Sequence, residues 1–145
     1  MTDGHLLLHK LGELRSHLVR ARRRRGDDFA DFAADEDRRD ALMLSVMIAL
    51  QEAVDCAFHV AVDSDLGIPT SNSNAFTRLA GAGLISSELA TTLGEGARLR
   101  NRIAHGYASV DLERFWLELP QGLDALDAFA AAMTRVVSIA SEDAE

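Results

Sequence analysis

The chain is poor in the residues that build covalent or rigid frameworks. It holds one cysteine, Cys56, so no disulfide can close within it. A cytoplasmic location is the simplest expectation for such a chain. Proline occurs only at Pro69 and Pro120, and aromatic residues make up just 6%. No uninterrupted apolar run of about 18 residues is present, so neither a transmembrane helix nor a membrane partner is expected. The opening Met1-Thr2-Asp3-Gly4-His5 has no basic lead and no apolar stretch, which argues against a secretory signal.

What is present points to one folded domain. The 145 residues are 48% apolar and 26% charged, an ordinary soluble balance rather than a disordered one. That length suits a single domain over residues 1–145 with one core. Alanine, leucine, arginine and the acids dominate, and these side chains lose little freedom in a helix. The net charge of −8 argues against a protein that coats nucleic acid without specificity. Charge is uneven, however. Residues 1–25 carry seven bases against two acids, and residues 76–110 carry four against two, so two local segments are basic.

Periodicity divides the chain into helices. Leu7, Leu11, Leu14, Leu18 and Ala21 form one stripe, predicting a helix over about residues 3–25 that Gly26 ends. Residues 26–40, where acids alternate with Phe29 and Phe32, can be a loop or a short helix. Met43, Met47, Leu50, Val54, Ala57 and Ala61 predict a second long helix over about 38–63. Residues 64–74 are loop chemistry, and a short helix follows over about 74–81. Ser86 or Ser87 can cap a helix reaching about Ala104, with Glu88 suiting its positive end and Gly106 offering a stop. Asp111 can cap a short helix through Phe115 and Trp116. Pro120 then permits a fresh start after a bend, and Leu123, Leu126, Phe129, Met133, Val136 and Ala140 form the last stripe. No strand pattern and no internal repeat occur. The fold expected is all-α: an antiparallel bundle of four long helices plus short ones.

Residues 98–107 concentrate the chemistry: Arg98, Arg100, Asn101, Arg102, His105 and Tyr107 lie at one helix end. Arginine stays charged and grips phosphate with two prongs, histidine moves protons near neutrality, and asparagine can orient either. Together they could polarise a phosphodiester and shuttle a proton, with the ribose 2′-hydroxyl as nucleophile. Basic residues at a helix C-terminus also occur simply because they complement the helix dipole. Spacing alone leaves both readings open.

The run Arg100-Asn101-Arg102-Ile103-Ala104-His105-Gly106-Tyr107 fits Arg, four residues, His, one residue, Tyr. With Asn directly after Arg, it resembles the HepT toxins of the HEPN superfamily. Residues 78–89 resemble that family's lead-in to the motif helix, residues 110–116 its exit, and Leu50-Gln-Glu-Ala-Val-Asp-Cys56 its second helix. The resemblance is strongest over residues 38–140. It implies a helical bundle that forms a homodimer, with two motifs facing across a cleft. It implies a metal-independent endoribonuclease toxin that takes RNA as substrate and needs no cofactor. It further implies neutralisation by a minimal nucleotidyltransferase antitoxin that adds AMP to the motif tyrosine. Carried over, Arg100 would polarise the scissile phosphate and His105 would act as general acid or base. Asn101 would position one of them, and Tyr107 would be the modification target. Arg102 stands where the family is often apolar and would add a phosphate contact. The rival expectation is a non-catalytic HEPN subunit that docks a nucleotidyltransferase without cutting RNA.

Other candidates are weaker. Arg20, Arg22, Arg23, Arg24 and Arg25 could hold RNA or an acidic partner, or form a solvated helix end balancing the acidic 27–40 stretch. His5 and His9 have the spacing for a shared metal but no further ligand nearby. Cys56 and His59 read as packing residues, and Trp116 as core or dimer contact. Gln51, Glu52 and Asp55 could face the cleft and orient the arginines, or face solvent.

Overall fold

The computed structural model describes residues 4–143. Its first helix, α1 (Gly4–Arg25), buries Leu7, Leu11, Leu14, Leu18 and Ala21, the stripe that the spacing predicts. Gly26, at φ 64°, ends it. A Cβ there would collide with the Arg38 guanidinium, so glycine leaves room for Arg38 to reach the α1 terminus. The 26–40 stretch resolves into a short helix, α2 (Phe29–Ala34), and the start of α3 (Glu36–Asp63). Asp28 caps α2 by accepting from the Ala30 amide at 2.8 Å, and Asp35 caps α3 by accepting from the Arg38 amide at 3.0 Å. The acidic run therefore starts two helices, in keeping with their positive N-terminal poles.

Helix α4 (Asn72–Gly81) is capped by Ser71, and α5 (Ser87–Ala104) by Ser86. A 3-10 turn (Tyr107–Ser109) leads to α6 (Leu112–Asp143). Asp111 accepts from the Arg114 amide at 3.2 Å and so begins α6. The expected break at Pro120 is absent: α6 is one 32-residue helix that runs through it. Proline has no N–H, which strands the carbonyl four residues earlier. That carbonyl belongs to Trp116, and Arg25 Nε fills the vacancy by donating to it at 2.8 Å. A long-range bond thus replaces the missing local one.

Contacts along their length set the helix directions. Lys10 meets Asp55 while Arg24 meets Ser45, so α1 and α3 are antiparallel. Arg15 meets Thr134 while Arg25 meets Trp116, so α1 and α6 are antiparallel too. The short 105–111 connection turns α5 back onto α6, which makes α5 antiparallel to both α6 and α3. The four long helices form the expected antiparallel bundle, and among the described residues no strand occurs. Phe32, Phe76 and Phe129 anchor its core, with Phe76 and Phe129 edge to face at 5.6 Å. By length and composition α3 could cross a membrane, with a window of mean hydropathy 1.6, a property that a search for uninterrupted apolar runs passes over. Its Leu42, Ala49, Ala53, Ala57 and Val60 are instead fully enclosed in this core.

Candidate active site

Helix α5 ends where the motif lies. Ala104 is its last residue, and His105 caps it with its amide on the Asn101 carbonyl at 3.1 Å. Gly106 takes φ 103°, which L side chains rarely adopt, and it swings the chain away from the helix axis. Tyr107 then opens the 3-10 turn instead of stacking above Arg100, as a continued helix would have it. Tyr107 and Leu99 are half-buried against the core, and Ile103 is buried. These apolar contacts fix the segment's backbone while Asn101, Arg102 and His105 face outward.

Arg98, Asn101, Arg102 and His105 are exposed, and Arg100 is half-buried. Arg100 Nη1 donates to the Asn101 Oδ1 at 3.2 Å, so Asn101 orients the arginine that precedes it. Arg98, Arg102 and His105 have no hydrogen bond or ion pair among the described residues. Among the described residues no carboxylate pairs with this end of α5. Helix-dipole complementarity explains a cation in the last turn, but it does not explain Arg100. The Nε of Arg100 is enclosed and meets no acceptor. One other arginine shares that condition, Arg39 on α3. The sequence reading passes over Arg39, whose one visible signal is a cation in the first turn of a helix, where acids are favoured.

The remaining candidates separate from this site. Arg22 pairs with Asp124 at 2.9 Å and Asp127 at 2.6 Å. Arg24 bonds Ser45, and Arg25 lies 3.8 Å over the Trp116 ring. These arginines join α1 to α3 and α6, and do not simply balance the 27–40 acids from a solvated end; Arg20 and Arg23 remain exposed. Trp116 is core, donating its Nε1 to the Arg25 carbonyl at 3.0 Å and stacking on Phe29 at 5.8 Å. Gln51, Glu52 and Asp55 do not touch the α5 arginines. Gln51 donates to Asp55 at 2.8 Å, and Lys10 reaches Glu52 at 3.9 Å and Asp55 at 3.6 Å. Lys10, Gln51 and Asp55 border an open groove of about 570 Å³ with Phe58 and His59, along the second half of α3. There His59 Nε2 sits 3.1 Å from Asp63. Cys56 is enclosed in the core, and burial, helped by the charge of Glu52, pushes its thiol up to about 12. His9 lies 3.8 Å from Glu13, and no group of three potential metal ligands occurs among the described residues.

The family described as HepT-like, Ribonuclease HepT-like, matches residues 7–133. An mRNA nuclease HepT from Shewanella oneidensis is 28% identical over 108 residues, covering 74% of this chain and 80% of its own. Among solved structures, a tri-AMPylated Shewanella oneidensis HEPN toxin in complex with MNT antitoxin superposes with a TM-score of 0.83. It is 25% identical, and the match covers 93% of this chain and 99% of that one. The cytosolic protein YutE of Bacillus subtilis, of unknown function, shares the fold at a TM-score of 0.82 and 14% identity, over 95% of this chain and 92% of its own. The family match spans most of the bundle core and both flanks of the Arg100–His105 segment, and the chain belongs to the HepT-like ribonuclease family.

Proposed function

We propose that the protein is an endoribonuclease toxin of a bacterial toxin–antitoxin pair, acting in the cytoplasm as a homodimer on RNA. The observation that carries this reading is the α5 terminus, where Arg100 and His105 stand beside Arg98 and Arg102 with no carboxylate among the described residues to neutralise them. Anionic substrate would meet that cluster without displacing an ion pair. Arg100, oriented by Asn101, would grip the scissile phosphate and offset the charge that builds on its oxygens. Arg102 would add a further phosphate contact.

Cleavage needs a base at the 2′-hydroxyl and an acid at the leaving 5′-oxygen. The base takes the 2′ proton, the 2′-oxygen bonds phosphorus, the bond to the 5′-oxygen breaks, and the acid protonates that oxygen. The products are a 2′,3′-cyclic phosphate and a 5′-hydroxyl, and no further reactant enters. One chain supplies one motif histidine. Five residues of helix also separate Arg100 and His105 by about 140° of rotation and about 7.5 Å of rise. A two-fold dimer supplies the second histidine and closes the cleft around a strand.

The antitoxin in this reading is a minimal nucleotidyltransferase that transfers AMP to Tyr107. The Tyr107 hydroxyl has no hydrogen bond among the described residues and stands two residues beyond His105, which suits a modification target. Added AMP would bring bulk and negative charge to the cleft and repel RNA. The family relative solved with an MNT antitoxin, itself tri-AMPylated, supports this pairing.

His105→Ala tests the reading. Growth arrest and RNA cleavage should both disappear while dimerisation and antitoxin binding survive. A His105→Ala variant that still cuts RNA refutes the assignment. A wild-type chain that binds a nucleotidyltransferase yet never cuts RNA makes it a docking subunit instead. Intact mass after co-expression with the nucleotidyltransferase should rise by AMP units, and Tyr107→Phe should abolish the rise.

A further inference from the structure

Arg39 is the fourth residue of α3 and has no structural employment. It is half-buried, its Nε is enclosed without an acceptor, and no other part of the side chain has a partner among the described residues. A buried N–H left unmet costs about 1–3 kcal/mol. A cation in the first turn also opposes the positive pole of its helix. Arg38 meets the same objection by donating to the Arg24 and Arg25 carbonyls at the negative end of α1. Arg39 has no such outlet.

Its position follows from the contact of α3 with α5. A Cβ on Gly96 would stand 2.8 Å from Leu50 Cδ2, so these two residues mark where the helices touch. Arg39 precedes Leu50 by eleven residues. That is close to three turns, which leaves the two side chains within about 20° on one face. Met43 and Val46 lie between them on the same face, and both are buried. Because the helices are antiparallel, eight residues back along α3, at Leu42, is level with Ala104, the last residue of α5, and Arg39 lies only three residues, about 4.5 Å of rise, past that level. Arg39 therefore faces the motif end of α5, where Arg100 shows the same enclosed and unmatched Nε.

We propose that Arg39 is a second phosphate-binding residue of the RNA site, gripping a backbone phosphate next to the one that Arg100 polarises. The proposal rests on the ribonuclease reading above. A phosphate offers the acceptors that both Nε groups lack, and the guanidinium fork matches its oxygens. The energetic penalty of Arg39 in the free protein is then the counterpart of its readiness for substrate. α3 would thereby help choose the strand's path into the cleft, rather than serving only as the bundle's central helix.

The test uses a short 2′-O-methyl RNA, which lacks the nucleophile and stays intact, with binding read by fluorescence anisotropy across a salt series. Arg39→Gln should weaken binding about tenfold. It should also flatten the slope of log affinity against log salt by about 0.7, the signature of one lost phosphate contact on a single strand. Arg39→Met, which fills the same space, should do likewise, and the melting temperature should stay level or rise in both. Arg39→Lys should restore the slope without the full affinity, because an ammonium keeps the charge and loses the fork. Wild-type affinity and slope in both neutral variants would overturn the proposal. So would a drop in melting temperature with an unchanged slope, which would mark a packing role. A shift from dimer to monomer in Arg39→Gln with an unchanged slope also overturns it, because the partner would then be a second copy of the chain. If the wild type neither binds nor cuts RNA, the ribonuclease reading falls and this proposal with it. If the wild type binds and the variants match it, Arg39 alone is wrong.

Discussion

The last turns of α1 and α5 each carry a cluster of arginines, and the two clusters have opposite fates. At the end of α1, Arg22, Arg24 and Arg25 each reach a neighbouring helix: two aspartates on α6, Ser45 on α3, and the Trp116 carbonyl and ring. At the end of α5, among the described residues, Arg98 and Arg102 have no bonded partner and Arg100 has only the adjacent Asn101. The same residue type at the same pole of a helix is mortar in one place and an open binding group in the other. What differs is the surroundings: α1 ends against carbonyls, a ring and acids, whereas α5 ends with no carboxylate of the described residues paired to it. An arginine spent on the fold cannot also serve a ligand, so the unpaired cluster is where a polyanion would be met.

A crossed pair of substitutions gives the largest expected effect on this comparison. Arg100→Ala should lower RNA cleavage by about 100-fold or more, the usual loss for a preorganised group facing developing charge. Its melting temperature should hold or rise, because an enclosed N–H without an acceptor is removed. Arg25→Ala should do the reverse. It leaves the Trp116 carbonyl bare above Pro120 and strips the indole face, costing about 2 kcal/mol, or about 6 °C in melting temperature. Cleavage per folded molecule should stay near wild type. Calorimetry and a cleavage assay on both variants check this; a thermally weakened Arg100→Ala with normal cleavage would erase the distinction.

Cys56 offers a second, smaller probe, because it is enclosed in α3, the central helix to which Arg24 of α1 bonds through Ser45. Its thiol is raised from 9.0 to about 12, chiefly by burial. The folded state therefore keeps the proton that the unfolded state releases first. Stability from this group is complete below pH 9 and is lost between pH 9 and about 12. The decline should approach about 1.4 kcal/mol per pH unit in that window, and Cys56→Ala should abolish that part of it. At pH 8 alkylation of Cys56 should be slow in the wild type and in His105→Ala, but faster in Arg25→Ala, where unfolding is easier. Equal alkylation rates in all three would show that Arg25 does not hold the bundle closed around Cys56.

The parts of this division that could be read from the sequence are those written in local spacing. The α1 stripe, the Ser86 and Asp111 caps and the stop near Gly106 depend on residues within a turn or two of one another, and each is legible. The motif is legible for the same reason, since Arg100, His105 and Tyr107 lie within one short run. Pro120 shows the limit. Its local chemistry predicts a new helix start, yet α6 runs on because Arg25, ninety-one positions from Trp116, takes the freed carbonyl. The roles of Arg22 and Arg24 are hidden likewise, because their partners sit on α6 and α3. Arg39 is harder still: its role depends on which side of α3 meets α5, and on what fails to bond it.

Arg22 should give the smallest effect, and that smallness sharpens the contrast within the α1 cluster itself. Its contacts to Asp124 and Asp127 are short, at 2.9 and 2.6 Å, but the side chains are 40%, 78% and 48% exposed. Water and salt screen such a pair, so Arg22→Ala should cost less than about 1 kcal/mol. Added salt should narrow the gap between variant and wild type, because screening at about 1 M reaches down to about 3 Å. Arg25, whose bonds go to a carbonyl and an aromatic face, should show little salt dependence. If denaturant titrations give Arg22→Ala a penalty equal to that of Arg25→Ala, distance alone would govern these contacts. A small, salt-sensitive value for Arg22 beside a larger, salt-insensitive one for Arg25 shows burial to be the governing variable. The same physics lets the exposed arginines of α5 stay unpaired at little cost until a phosphate arrives.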